Sequence, residues 1–414
     1  MQNNSNFKTK IYPWIVVGLL WVVALLNYMD RQMLSTMRSA MAVDIAELAT
    51  AEKFGALMAI FLWIYGCVSP FGGAIADRIS RKWLIISSLG VWSAVTLLMG
   101  YCTSYNQIYA LRALMGVSEA LYIPAGLSLI SDYHEGKSRS FAIGIHMTGL
   151  YIGQAAGGFG AGLAEAFTWQ STFFWFGVIG LAYGVILSVV LQDKKDETPA
   201  AAAQVSIDKV PVLKGFSIIF ANISFWVMLF FFASLSLPGW ATKNWLPTLF
   251  SDTLSIPMTK AGPISTITIA ASSFIGVMLG GPISDRWVKK NLRGRIYTST
   301  IGFVMMIPSL VLLGLGHNLT AVVLAGVLFG VGYGMIDTNN MPILCQFVPK
   351  RLRGTAYGVM NMVGVFAGAL CTSALGKLAD AGKLPIAFAL MAIIVAAALT
   401  LELTVLKPTT DNME

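Results

Sequence analysis

The residues of this 414-residue chain best equipped for chemistry are charged side chains set inside long apolar runs. Asp30 and Arg31, in Asn27-Tyr28-Met29-Asp30-Arg31, interrupt the first run; Arg112 and Glu119, in Leu-Arg-Ala-Leu-Met-Gly-Val-Ser-Glu, interrupt the fourth. A charge at the centre of a membrane helix costs roughly 3 kcal/mol or more, so such residues face one another or a polar cavity and mark a pathway. Neighbours on a helix point about 100° apart, so Asp30 and Arg31 serve different partners. Arg112 and Glu119 are seven residues apart, nearly two turns, and share one face about 10 Å apart along the axis. A guanidinium grips a carboxylate with two parallel hydrogen bonds, and an acid in an apolar span can take up and release a proton. A static ion pair between helices is the competing reading of both sets.

Further polar groups sit in the runs. Gln154 is a candidate substrate ligand in the fifth span, against a packing role. His146 is read as an interhelical hydrogen-bond donor rather than a titrating group. Asp337, Asn339 and Asn340 break the tenth span, where amides without partners are expensive. Trp240, Lys243, Asn244 and Trp245 form a candidate aromatic gate near the outer end of the seventh span, against an interfacial aromatic belt.

Only a membrane supplies the setting for these residues. The chain is 56% hydrophobic and 12% charged, with mean hydropathy +0.71; soluble domains carry roughly 25% charged residues. Runs of about 20 apolar residues, enough to cross a bilayer, are expected at 13–40, 55–76, 83–101, 107–131, 140–163, 170–191, 216–246, 262–284, 296–316, 320–346, 355–377 and 385–406. The polar stretch 192–215 reads as a linker, which divides the chain into 1–191 and 216–414. The first run is too long for a cleaved signal peptide and lacks its small-residue end. Most of the Lys and Arg residues fall on the side of the N-terminus, which places both termini in the cytoplasm. The net charge of +8 therefore reflects topology and not nucleic-acid binding, since the basic residues cluster at span ends. Cys67, Cys102, Cys345 and Cys371 lie in or beside apolar runs with no C-x-x-C spacing, so neither a disulfide framework nor a metal site is expected.

An internal repeat adds symmetry. Gly72-Gly73-Ala-Ile-Ala-Asp77-Arg78, after the second span, returns as Gly280-Gly281-Pro-Ile-Ser-Asp285-Arg286 after the eighth. Arg139 and Gly144 return as Arg353 and Gly358. The fold expected is an all-α polytopic membrane protein, twelve helices in two pseudo-symmetric six-helix bundles, and such carriers bind substrate near the midplane. Catalytic motifs of the H-E-x-x-H, G-x-S-x-G and P-loop kinds do not occur, so the chain is read as no enzyme.

The stretch from Gly72 to Lys82 resembles the signature loop of the major facilitator superfamily. That resemblance implies conformational gating by Gly73, Asp77, Arg78 and Arg81, and by Asp285 and Arg286 in the second copy. N-Y-x-D-R in span one with R-x-x-x-G-x-x-E in span four is similar to the anion:cation symporters, which carry sugar acids, hexuronates and sialic acid. The resemblance implies proton coupling at Asp30 and Glu119, with Arg112 tuning the glutamate, and substrate contact at Tyr28 and Arg31. It also implies that Asn339 or Asn340 bonds substrate hydroxyls. The span-five run Gly144 to Gly158 resembles an antiporter glycine motif without its proline, so antiport is not inferred. The function expected is proton-driven import of a small organic anion, an acidic sugar, by a monomer in a bacterial cytoplasmic membrane. The proton is the coupling ion and no cofactor is expected. Spinster-like carriers share the same motifs, and export or flipping of a lipid or drug is the alternative.

Overall fold

A computed structural model of the chain describes residues 2–76, 79–134, 137–193, 212–349 and 352–408. Its secondary structure is helical throughout these residues, as a bilayer demands: a helix satisfies its own backbone donors and acceptors where no water can. In order these are α1 (Gln2–Leu34), α2 (Arg38–Asp44), α3 (Ala51–Ala76), α4 (Arg81–Met99), α5 (Tyr105–Tyr133), α6 (Lys137–Gly157), α7 (Gly160–Ala166) and α8 (Trp169–Val190). After them come α9 (Val212–Phe220), α10 (Ile223–Leu254), α11 (Met258–Val288), α12 (Gly294–Leu315), α13 (Leu319–Asp337), α14 (Asn340–Phe347), α15 (Arg353–Asp380) and α16 (Leu384–Val405).

Among the described residues, 11 helical stretches are long and apolar enough to cross a membrane. The expected fifth span, 140–163, is α6 followed by α7, and it is not among the 11; its His146, Thr148, Gln154 and glycines dilute its hydropathy. Three boundaries are corrected. Span one ends at Leu34 and not at residue 40, because the hydroxyls of Ser35 and Thr36 bond back to the carbonyls of Gln32 (2.7 Å) and Met33 (2.9 Å), a local alternative to helix propagation. Span seven is 223–254 rather than 216–246. Asn222 caps it by accepting from the Ser224 N–H at 2.9 Å, and α9 is separate. Span ten is split into α13 and α14 at Thr338–Asn339. Most of the stretch expected as linker lies outside the described residues.

The chain forms two compact units, Met1–Lys195 with Ile256–Ile267, and Asp196–Ser255 with Thr268–Glu414. In the first, α1 packs on α6, α3 on α5, and α4 on both α5 and α8. In the second, α10 packs on α15, and α12 on α13 and α16. The pairings first with fifth, third with fourth and third with sixth thus recur, as the sequence repeat requires. The α1–α6 seam rests on Gly149, Gly153 and Gly157, where an added Cβ would come within 3 Å of the carbonyl oxygens of Trp21, Leu25 and Met29 respectively. Small residues at four-residue spacing let membrane helices approach closely, where packing and not water supplies the attraction.

Candidate functional site

In the first unit, α1 presents Asp30 and Arg31 to different neighbours, as their adjacent positions require. Asp30, 5% exposed, accepts the Thr96 hydroxyl of α4 at 2.5 Å. Arg31 turns to α5 and pairs through Nε with Oε2 of the fully buried Glu119. Its guanidinium carbon lies 5.1 Å from the Tyr28 ring, 4.8 Å from Phe61 and 5.2 Å from Tyr65. The Arg112 guanidinium also stands over Phe61, at 4.8 Å. Phe61 therefore serves two cations, and aromatic faces stabilise each by about 0.5–2 kcal/mol.

Two acids and two guanidiniums give the cluster no net charge, which permits it in a membrane. Its hydrogen-bonding capacity is not used up. Glu119 Oε1, Arg31 Nη2, Arg112 Nε and both amide atoms of Asn27 are buried without a hydrogen-bond partner. Such orphans are costly unless a ligand or water completes them. The arrangement can accept a carboxylate on Arg31, provided Glu119 gives way.

The sequence brings Arg112 and Glu119 onto one face, and the structure keeps Arg112 within electrostatic reach of both acids. The direct partner of Glu119 is nevertheless Arg31, while Arg112 Nη1 points at the Met115 sulfur, 3.0 Å away. Gln154 is buried on α6, 6% exposed. His146 is fully buried against the Leu20 carbonyl, its ring 6.1 Å from Tyr122, without a hydrogen bond of good geometry. Sequence reasoning missed Phe61 and Tyr65, Thr96, and the orphaned Asn27. The one available signal was the four-residue spacing of Phe61 and Tyr65, which puts two aromatics on one face of α3.

The second unit holds the other polar residues. Asn339 is fully buried and donates to the Met335 carbonyl at 2.8 Å. Asn340 donates to Asp337 Oδ1 at 3.1 Å. Both keep a side-chain oxygen without a partner. The four residues of the candidate gate divide into two pairs. Trp245 and Asn244 bond Thr372 of α15, through its carbonyl at 3.0 Å and its hydroxyl at 2.9 Å, so they fix that packing. Trp240 and Lys243 stay together, with the ammonium 4.8 Å from the indole. Because α10 continues to Leu254, none of the four stands at the helix end.

Of the expected gating residues, Asp77 and Arg78 lie outside the described residues, and Gly73 falls within the last turns of α3. Arg81 pairs with Asp132 at the end of α5. Asp285 pairs with Arg295 at 3.1 Å, while its neighbour Arg286 is exposed.

The sequence profile of the Major Facilitator Superfamily matches residues 20–372, with a second match over 294–411. The chain belongs to this superfamily. It is thus an integral membrane transport protein and not an enzyme. Among curated relatives, a D-galactonate transporter of Escherichia coli O6:H1 is 23% identical over 390 residues, covering 89% of each chain. The probable galactarate/D-glucarate transporter GudP of Escherichia coli K12 is 25% identical over 399 residues, 89% of this chain and 87% of that one. Among solved structures, a bacterial homologue of the human lysosomal transporter Spinster, inward-facing and occupied, superposes with TM-score 0.80 at 17% identity over 97% of this chain and 98% of its own. That last likeness concerns the superfamily fold alone.

Proposed function

We propose that this superfamily member is a proton-coupled symporter that imports an acidic sugar, an aldonate, aldarate, hexuronate or sialic acid, across a bacterial cytoplasmic membrane with both termini inside. The carrying observation is the buried Arg31–Glu119 pair on its bed of aromatic rings, with spare donors and acceptors around it. The names of the relatives agree with it, since they are transporters of sugar acids.

Coupling follows from competition for one guanidinium. With Glu119 ionised, Arg31 is occupied. A proton on Glu119 removes the competing charge, so the substrate carboxylate takes Arg31 and the charge count of the cluster is preserved. Proton and anion thus enter together, and Glu119 reclaims Arg31 when both leave. Asp30, held by Thr96, provides a second protonatable carboxylate in the same field, and Arg112 biases both acids. Within the first unit, Tyr28 and Gln154 are the remaining substrate ligands of this reading; within the second, Asn339 and Asn340 offer amides suited to hydroxyls. Gly73, Asp77, Arg78, Arg81, Asp285 and Arg286 control the alternation between states.

The test is uptake of radiolabelled galactonate and galactarate into proteoliposomes, with and without an inward proton gradient, beside thermal-shift measurements with sugar acids, neutral sugars and lysolipids. A ligand that binds the folded state alone raises apparent stability. Stabilisation by sugar acids with gradient-driven accumulation is expected. Stabilisation by lysolipids and not by sugar acids would overturn the reading in favour of lipid carriage.

A further inference from the structure

Within the first unit, Asp30 of α1 meets a hydroxyl that has more acceptors than hydrogens. Thr96 Oγ1 on α4 lies 2.5 Å from Asp30 Oδ2 and 2.9 Å from the carbonyl oxygen of Trp92, one turn earlier on its own helix. A threonine hydroxyl carries a single hydrogen and can also accept through its lone pairs, so it donates to one of these oxygens at a time. When it donates to Trp92, the contact with Asp30 is held by a proton on the carboxyl, because two oxygens with no hydrogen between them repel at that separation. Short O–H···O bonds to or from a carboxyl run about 2.5–2.7 Å. Asp30 is 5% exposed and Thr96 2%, yet their surroundings are not filled. A cavity that leaves about 10 Å³ to the centre of a water molecule is lined by Asp30, Thr96 and Ser93, with Trp92 and Gly180 of α8. That is the lower limit for holding one water, and three polar side chains are enough to bind it. Gly180 keeps the space open: an added Cβ would come 2.2 Å from the Ser93 hydroxyl oxygen.

Resting on the proton-coupled reading, we propose that Thr96 is the positioning residue that makes protonation of Asp30 reversible. With Asp30 ionised, Thr96 donates its hydrogen to Oδ2. When the carboxylate takes up the coupling proton, the new O–H donates to Thr96 Oγ1, and the threonine hydrogen swings to the Trp92 carbonyl. One proton is gained, the carboxyl keeps its bond to Thr96 in both states, and neither helix has to move. A buried carboxyl stripped of its partner is expensive in an apolar bundle. Serine can perform the same exchange. Valine, with the shape of threonine and no hydroxyl, serves neither state. The cavity admits one water beside the carboxyl, so a proton has a carrier there while the α1–α4 packing stays closed.

The full-length protein in proteoliposomes separates this role from plain packing. Wild type, Thr96→Ser, Thr96→Val, Asp30→Asn and the double variant Asp30→Asn with Thr96→Val are compared by gradient-driven uptake of galactonate and by counterflow. Infrared difference spectra between acid and neutral buffer follow the carboxyl C=O band of Asp30, identified by its loss in Asp30→Asn. Thr96→Val should lower accumulation by about 10- to 100-fold, the range for a hydrogen bond to a charged group, while counterflow is retained. Its carboxyl band should move to higher wavenumber, because the acid has lost its acceptor. Thr96→Ser should restore both the accumulation and the band position. In the Asp30→Asn background, Thr96→Val should change counterflow no further. Equal losses in Thr96→Ser and Thr96→Val, or a band that does not move in Thr96→Val, would make the hydroxyl structural and overturn the proposal while wild-type coupling stands. A wild type without gradient-driven accumulation would overturn the coupled reading itself, and the infrared band would then decide the hydroxyl exchange alone.

Discussion

Replacing Glu119 with glutamine should strengthen anion binding while destroying accumulation. Glu119 is fully buried and its Oε2 holds Arg31 Nε, so a substrate carboxylate reaching the guanidinium meets an established competitor. Hydrogen bonds to charged groups contribute about 1.5–3 kcal/mol. The amide keeps part of that interaction, and a residual release of about 1.4 kcal/mol is a tenfold change in affinity. Glu119→Gln should therefore bind galactonate about tenfold more tightly than wild type near neutral pH. Without ligand the variant should be less stable, because taking one partner from a buried ion pair costs about 3–5 kcal/mol. Saturating substrate, at about 100 times Kd, should return roughly 2.7 kcal/mol. Calorimetry, with proteoliposome uptake and counterflow, checks each part: tighter binding, no gradient-driven accumulation, retained exchange. Binding about tenfold weaker than wild type would refute competition for Arg31.

The remaining expectations concern what supports that guanidinium. Arg31→Lys should recover little anion binding, because a point charge lacks the two-pronged donor geometry; near-normal affinity by calorimetry would exclude a bidentate role. Phe61→Leu removes the ring under both Arg31 and Arg112; at about 0.5–2 kcal/mol per cation, galactonate affinity should drop about fivefold or more, and an unchanged Kd would show that the stacking is idle. Gly153→Ala drives a Cβ into the Leu25 carbonyl and should cost about 1–3 kcal/mol in thermal or denaturant unfolding, whereas Gly144→Ala, with nothing within 4 Å, should be neutral or slightly stabilising.

The fold was legible because lipid leaves few options. Repeated apolar runs of bilayer length admit helices alone, and the copied glycine and Asp-Arg motif sets the two-fold register. The misplaced ends of spans one and seven turn on hydroxyl and amide side chains, Ser35, Thr36 and Asn222, whose capping bonds hydropathy does not register. The charged half of the site was legible for the reason that it is expensive: Asp30, Arg31, Arg112 and Glu119 have no cheap place in a bilayer. Phe61 and Tyr65 belong to an apolar run where an aromatic under a guanidinium and one facing lipid look alike. The role of Thr96 was hidden for the same reason, since a hydroxyl bonding its own helix backbone is common in spans.

Which cation Glu119 would choose also has a sequence-level cause that spacing within α5 does not contain. Gly149, Gly153 and Gly157 form a straight seam on α6 at four-residue intervals, and it receives Trp21, Leu25 and Met29 at the same interval on α1. That match fixes the rotation of α1. With Met29 on the seam, Asp30 lies about 100° and Arg31 about 200° around the helix. Arg31 must then point away from α6, and it does so toward Glu119 of α5 and the rings of α3. Asp30, half as far around, meets Thr96 of α4. The glycines thus do more than bring two helices close. They aim the guanidinium, and a substitution at Gly153 should disturb anion recognition through Arg31 although it touches no charged residue.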